Sequence, residues 1–213
     1  VSKGVMLTHR NVVCNTVQFG CWFNGAQIEV RDNRVELIYP EGVNPIKDRP
    51  VARDRETALV VVPWFHAMGT VGYLNNMVSS GTTMVVFPRF DPVEYIEGVN
   101  KFSATTLGGA PQLYVPLVNM PGFEKYDLSG VKLIASGAAP LPLTVLDAMR
   151  QSFSKSVVIE AYGMTECAMG ATANPPMPER TRAGSVGLPV FDTEVKVVDV
   201  VTGEDLLPGS EGG

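Results

Sequence analysis

Short, unbroken apolar runs recur along the chain with polar-faced segments between them. Ala58-Leu59-Val60-Val61-Val62, Thr83-Met84-Val85-Val86-Phe87, Ala104-Thr105-Thr106-Leu107, Val131-Lys132-Leu133-Ile134-Ala135 and Val157 to Glu160 have the length and density of strands buried on both faces. Helices are predicted between them: about Thr70 to Ser79, Asp91-Pro92 to about Lys101, Pro111 to Val118, and Pro142 to Phe153. Asp91 suits an N-cap and Pro92 the first helical position, since proline lacks the N–H that would be unpaired there. An earlier helix starts at Thr8 as N-cap and runs to about Phe23, with Val12, Val13, Val17 and Cys21 as its apolar stripe. Alternation of this kind predicts an α/β fold, a mostly parallel sheet flanked by helices. Two segments break the pattern. Residues 25–56 carry many charges with Pro40, Pro45 and Pro50, and read as a loop or hairpin insertion in which Val35-Glu36-Leu37-Ile38-Tyr39 is the one strand-like run. Beyond Ala183 the texture turns to Gly/Pro-punctuated strands, including Glu194-Val195-Lys196-Val197-Val198. The division expected is therefore an α/β unit over 1–182 and the beginning of a β-rich, antiparallel unit over 183–213.

Composition narrows the partners. Seventeen basic and 22 acidic side chains give a net charge of −5, with no Lys/Arg run that would follow a phosphate backbone, so nucleic acid is excluded as a partner. Three cysteines, Cys14, Cys21 and Cys167, have neither disulfide-framework nor zinc spacing and read as reduced thiols of a cytoplasmic protein. Cys14 and Cys21, seven residues apart, are expected on one helix face as small core residues. No stretch has the run of apolar residues a transmembrane helix needs, and no signal peptide is expected. The chain begins at Val1-Ser2-Lys3-Gly4 and stops at Gly209-Ser210-Glu211-Gly212-Gly213, which reads as an excised fragment.

Candidate chemistry collects where strands end. In open parallel sheets, ligands lie outside the carboxyl ends of the strands. Pro63-Trp64-Phe65-His66, Gly108-Gly109-Ala110-Pro111, Ser136-Gly137-Ala138-Ala139-Pro140-Leu141 and Tyr162-Gly163-Met164-Thr165-Glu166 each follow one, so all four are expected on one rim. The last of these places an aromatic ring, a bare backbone, a hydroxyl and a carboxylate on one turn, parts able to stack a purine, approach a phosphate and hold Mg²⁺. Each residue also has a plainer role. His66 alone suits a core position at a strand end, and Glu166 alone suits a solvated acid stabilised by a helix dipole. Trp64 and Phe65 are expected to be packing residues, and Met68, Met77 and Met84 core residues, some of which would suit the wall of an acyl tunnel.

Taken together, Lys3-Gly4-Val5-Met6-Leu7-Thr8-His9-Arg10-Asn11, Pro63 to His66, Ser136 to Leu141, Tyr162 to Glu166 and Gly184-Ser185-Val186-Gly187-Leu188-Pro189 resemble, in order, the motifs of the adenylate-forming enzymes. That superfamily holds acyl-CoA synthetases, firefly luciferase and the adenylation domains of peptide synthetases, and the chain looks most like a fatty acid–CoA ligase. The resemblance implies a reaction in which a carboxylate attacks the α-phosphate of ATP, releasing pyrophosphate, and the thiol of coenzyme A then displaces AMP. It implies that Tyr162 stacks on adenine while Gly137, Ala138 and Ala139, continuing into Pro140, wall the adenine pocket. Gly163 and Met164 adjoin the nucleotide, Thr165 contacts the α-phosphate and Glu166 binds Mg²⁺. His66 lies beside the acyl carboxylate, and Lys3 belongs to the tail of a phosphate loop. Thr165, Glu166 and His66 form the catalytic set.

Amino-acid-activating members of the superfamily carry an aspartate in this region as countercharge to the substrate ammonium. From Phe65 to Gly81 this chain has neither Asp nor Glu, which suits a neutral hydrocarbon or aryl group. The lysine, hinge and ribose-binding aspartate of the family have no counterpart here, so the isolated chain is expected to be inactive and to self-associate through a surface exposed by truncation. A non-catalytic adenine-binding scaffold, an aryl-acid ligase and a luciferase-like enzyme share every motif quoted.

Overall fold

The computed structural model describes residues 3–39, 41, 55–207 and 209–211. The loop expected at Pro40, Pro45 and Pro50 lies outside the described residues, as do Val1 and Ser2.

The chain begins with helix α1 (His9–Asn24) and hairpin strands β1 (Gln27–Arg31) and β2 (Arg34–Ile38). Thr8 caps α1 through a reciprocal pair with Asn11, its hydroxyl accepting from the Asn11 N–H at 3.2 Å. The hairpin pairs Val30 with Val35 and Arg31 with Arg34 around a two-residue turn, Asp32-Asn33, whose φ angles of 50° and 59° suit Asp and Asn. The insertion therefore contains two strands where the sequence pattern suggested one. Gln27–Arg31 is exposed along its length and has no core face to show in its pattern.

Six further parallel and antiparallel connections follow from β3 (Thr57–Val60). They run through a π-helix (Met68–Asn75) continued by α2 (Asn76–Ser80), then β4 (Thr83–Val86), α3 (Pro92–Lys101), β5 (Thr106–Gly109) and α4 (Pro111–Val118). After these come β6 (Leu133–Ser136), α5 (Leu143–Ser152), β7 (Val157–Tyr162), β8 (Thr172–Ala173) and β9 (Leu188–Pro189). One sheet has the order β4-β3-β5-β6-β7-β8-β9, parallel from β4 to β7 and antiparallel from there on. The antiparallel pairing thus starts at Thr172, before Ala183. Glu194 to Val198, expected as a strand, contributes only an isolated bridge between Val198 and Asp205. Val195 and Val197 are exposed, and no described strand lies beside the segment to complete a ladder.

Pleating sorts the sheet residues into two layers. Leu59, Leu107, Ile134 and Val158 pack against Tyr95 and Ile96 of α3, Tyr114 and Leu117 of α4, and Leu146 and Met149 of α5. On the other face Ala58 and Val60 meet the π-helix through Tyr73, and Leu133 and Ile159 meet Phe23 of α1. Asp91 caps α3 as expected, accepting from Val93 N–H at 3.0 Å and Glu94 N–H at 2.9 Å, a device contributing about 1 kcal/mol. The buried Glu56 carboxylate pairs with Lys132 at 3.0 Å, tying together the amino ends of β3 and β6, the edge remote from the candidate loops.

Helix α1 turns a different face inward from the one its valines suggested. Asn15, Thr16, Phe19 and Cys21 are buried, whereas Val13 is 59% exposed and Cys14 is exposed. The reason lies in what α1 covers, a backbone turn after β7 that needs hydrogen-bond partners as much as apolar area. Phe65 is likewise not a packing residue, being 94% exposed at the rim where the chain leaves β3, whereas Trp64 is 37% exposed.

Candidate functional site

Because β3, β5, β6 and β7 are parallel neighbours, the loops leaving their carboxyl ends do share one rim. A cleft of about 280 Å³ there is lined by His66, Met68, Gly137, Ala138, Met169 and the whole segment from Ala161 to Glu166. Eight of the residues singled out in the sequence therefore meet in one space: His66, Gly137, Ala138, Tyr162, Gly163, Met164, Thr165 and Glu166. Three others do not. Ala139 and Pro140 follow the cleft-lining part of their loop without joining its wall, and Lys3 stands on the exposed segment before Thr8.

The turn after β7 is held from several directions. Its backbone runs so close to the next segment that a Cβ on Gly163 would lie 1.9 Å from the Met169 carbonyl oxygen, so only glycine fits. Thr165–Cys167 form one 3₁₀ turn, and the Cys167 thiol accepts from Met164 N–H at 3.3 Å. That turn projects Thr165 and Glu166 to solvent, while Tyr162 closes β7 with its ring half exposed. From below, Asn15 of α1 donates to the Gly170 carbonyl at 2.9 Å and accepts from its N–H at 3.1 Å, and the Phe19 ring lies against the same glycine. Asn15 is a positioning residue that the apolar pattern missed. The available signal was an asparagine in mid-helix, where its side chain competes with the helix backbone unless it has a partner elsewhere.

His66 is fixed by its own loop. Its Nδ1 accepts from Met68 N–H at 3.1 Å, so the neutral ring carries its proton on Nε2. The Thr70 hydroxyl donates to the Trp64 carbonyl, which locks the start of the π-helix onto this loop. A helix widened in this way is a frequent companion of functional sites, and here it delivers Met68, Gly72 and Tyr73.

Two further spaces open from the same point. One, about 300 Å³ and mostly apolar, lies toward α4 and is lined by Val62, Pro63, His66, Gly109, Gln112 and Ala138. The other is an apolar cavity of about 100 Å³ between the sheet and the α1 and π-helix layer, walled by Phe19, Gly72, Tyr73, Met77, Leu133 and Met169 among others. Met68 borders all three spaces, so one flexible thioether stands at their junction. Tyr73 lies over Gly108, where any Cβ would collide with its hydroxyl, and burial pushes its pKa upward so that the phenol stays neutral. Among the described residues, no charged one lines the apolar cavity. Among the described residues, Glu166 is the single carboxylate on the first cleft, and they contain no cluster of three His, Cys, Asp or Glu. That donor set suits Mg²⁺, which takes one or two carboxylates, substrate phosphates and water, and does not suit zinc.

The whole chain, residues 1–213, matches the family described as AMP-binding enzyme. It is 31% identical over 213 residues to the long-chain-fatty-acid–CoA ligase of Bacillus subtilis (strain 168), covering 99% of this chain and 33% of that protein. It is also 31% identical over 210 residues to the 4-coumarate–CoA ligase-like 9 of Arabidopsis thaliana, with 99% of this chain and 33% of that protein covered. Among solved structures, a long-chain-fatty-acid–CoA ligase from Archaeoglobus fulgidus superposes with a TM-score of 0.76 at 26% identity, over 99% of this chain and 38% of that one. The chain spans about a third of the length of the curated relatives it matches.

Proposed function

The chain belongs to the AMP-binding enzyme family, and from that premise we propose that it builds the adenylate-forming part of an acid–CoA ligase active site. The observation that carries the proposal is the meeting of Tyr162, Thr165, Glu166, Gly137, Ala138 and His66 around one cleft. Tyr162 stacks on the adenine, and the backbone at Gly137 and Ala138, extended by Ala139 and Pro140, forms the wall beside it. Thr165 donates to an α-phosphate oxygen, Gly163 and Met164 flank the nucleotide, and Lys3 approaches the phosphates from outside the cleft. Glu166 holds Mg²⁺, which when bound neutralises charge on the phosphates. His66 donates from Nε2 to the substrate carboxylate and orients it for attack at the α-phosphorus. The new bond joins carboxylate oxygen to phosphorus as the bond to pyrophosphate breaks, and the proteins of this class depend for such a step on positioning more than on an acid or base.

The thiol of coenzyme A then attacks the acyl carbon, and AMP leaves with the oxygen that was the substrate's. A thiol has to approach from a side that the nucleotide leaves open. The cleft toward α4, which shares His66 and Ala138 with the adenylate cleft, offers that approach. The apolar cavity receives the acyl group. Its uncharged wall gives no countercharge to an ammonium group and so favours fatty or aryl acids over amino acids. The unpaired thiols of Cys14, Cys21 and Cys167 support a cytoplasmic setting.

The test is AMP release by the full-length gene product given ATP, coenzyme A and a panel of fatty, aryl and amino acids. The expected result is AMP formation that requires both coenzyme A and a fatty or aryl acid, with amino acids inert. AMP formation with amino acids alone, or with no acid at all, overturns the proposal.

A further inference from the structure

Resting on the acid–CoA ligase reading, the apolar cavity also says something about the far end of the acid. Among the described residues, the buried hydroxyls without a hydrogen-bond partner are Thr106 Oγ1 and Ser136 Oγ; Thr106 lies on the cavity face of the sheet, in register with Ala58 and Leu133, whereas Ser136 shares the face of Ile134, toward α4 and α5. Buried hydroxyls are nearly always partnered, because an unpaired one keeps the cost of leaving water and gains nothing in return. The exception at Thr106, on the wall of this cavity, points to an oxygen atom supplied by what occupies it.

Thr106 stands at the end of the cavity remote from the adenylate cleft. Ser136 adjoins Gly137 and pairs in register with Gly109, at the end where the cavity meets the adenylate cleft and where a substrate carboxylate belongs. Thr106 lies at the amino end of β5, three residues before Gly109, a span of about 10 Å at the rise of a strand. Its polar neighbours around that end are already engaged. Asn24 donates to the Gly20 carbonyl, Asn76 to the Thr16 carbonyl, and Ser80 and Thr82 share a hydrogen bond. Thr106 alone among them has a hydroxyl without a protein partner.

We propose that the acid activated at this site carries a hydroxyl or carbonyl oxygen at its distal end, about 10 Å from the carboxylate, and that Thr106 Oγ1 hydrogen-bonds to it. A plain hydrocarbon of the same length fills the apolar wall and leaves this hydroxyl unsatisfied, so the cavity selects against it.

Two matched pairs of acids test this in the full-length gene product by kcat/KM of acid-dependent ATP–pyrophosphate exchange. The pairs are cinnamic against para-hydroxycinnamic acid, and a medium-chain alkanoic acid against its ω-hydroxy analogue. The wild type is expected to favour the oxygenated member of at least one pair by about tenfold. Thr106→Val, which keeps the shape and removes the hydroxyl, is expected to lower that ratio roughly fivefold or more, whereas Thr106→Ser retains it. Thr106→Ala replaces the valine variant if the latter does not fold. A wild type that favours neither oxygenated acid, or a ratio unmoved by loss of the hydroxyl, overturns the proposal while leaving the ligase reading intact. Exchange with no acid of any kind overturns the ligase reading, and the proposal with it.

Discussion

Glu166→Gln in the full-length gene product is expected to lower acid-dependent ATP–pyrophosphate exchange by roughly two to three orders of magnitude, with the fold unchanged. Glutamine keeps the size of the side chain and one acceptor oxygen but removes the charge, and among the described residues Glu166 is the single carboxylate on the wall of the proposed adenylate cleft. No neighbouring acid among the described lining residues can take over the role toward Mg²⁺ proposed for it. The side chain is exposed on a one-turn 3₁₀ segment. Activity and stability should therefore separate. A variant that retains exchange within a few fold of wild type would remove Glu166 from the catalytic set.

Gly163→Ala is expected to do the reverse and damage fold and site together, destabilising the protein by about 3 kcal/mol in urea titration and abolishing nucleotide binding in the fraction still folded. The added methyl would lie 1.9 Å from the Met169 carbonyl oxygen and 2.5 Å from Gly170 Cα. Both are backbone atoms, and neither can swing aside as a side chain does. Gly170 is in turn held by two hydrogen bonds to Asn15 and by the Phe19 ring, so relief would have to come from the Thr165–Glu166 turn itself. A variant with wild-type stability and wild-type nucleotide affinity would show that the turn is not built as rigidly as these contacts require.

Much of this arrangement was legible in the sequence because its strands are buried on both faces. Runs such as Ala58 to Val62 and Leu133 to Ala135 have no polar alternative, and the caps at Thr8 and Asp91 mark helix starts by their chemistry. The four loops could be placed on one rim because a parallel sheet puts every carboxyl end on the same side. What escaped was set by contacts distant in sequence. Helix α1 buries Asn15 because Gly170, 155 positions further on, needs both a donor and an acceptor, and no periodicity in α1 carries that information. The β1 strand lies on a hairpin without a core face, so alternation had nothing to record. Glu194 to Val198 shows the opposite failure, a strand-like composition with no described neighbour to pair with. The motif around Ser136 predicted a wall from Gly137 to Pro140. Only its first part reaches the cleft, since Ala138 adopts φ of 66° and turns the chain away there.

The central claim is that one cleft at the carboxyl ends of β6 and β7 holds an acyl-adenylate against Tyr162. The most direct measurement is calorimetric titration of the full-length gene product with a non-hydrolysable acyl-adenylate mimic, comparing wild type with Tyr162→Ala. Stacking of an aromatic ring on a base is worth about 1–3 kcal/mol, so saturable one-to-one binding should weaken by roughly tenfold or more in the variant. Absence of binding to the wild type, or equal affinity in both proteins, would contradict the account.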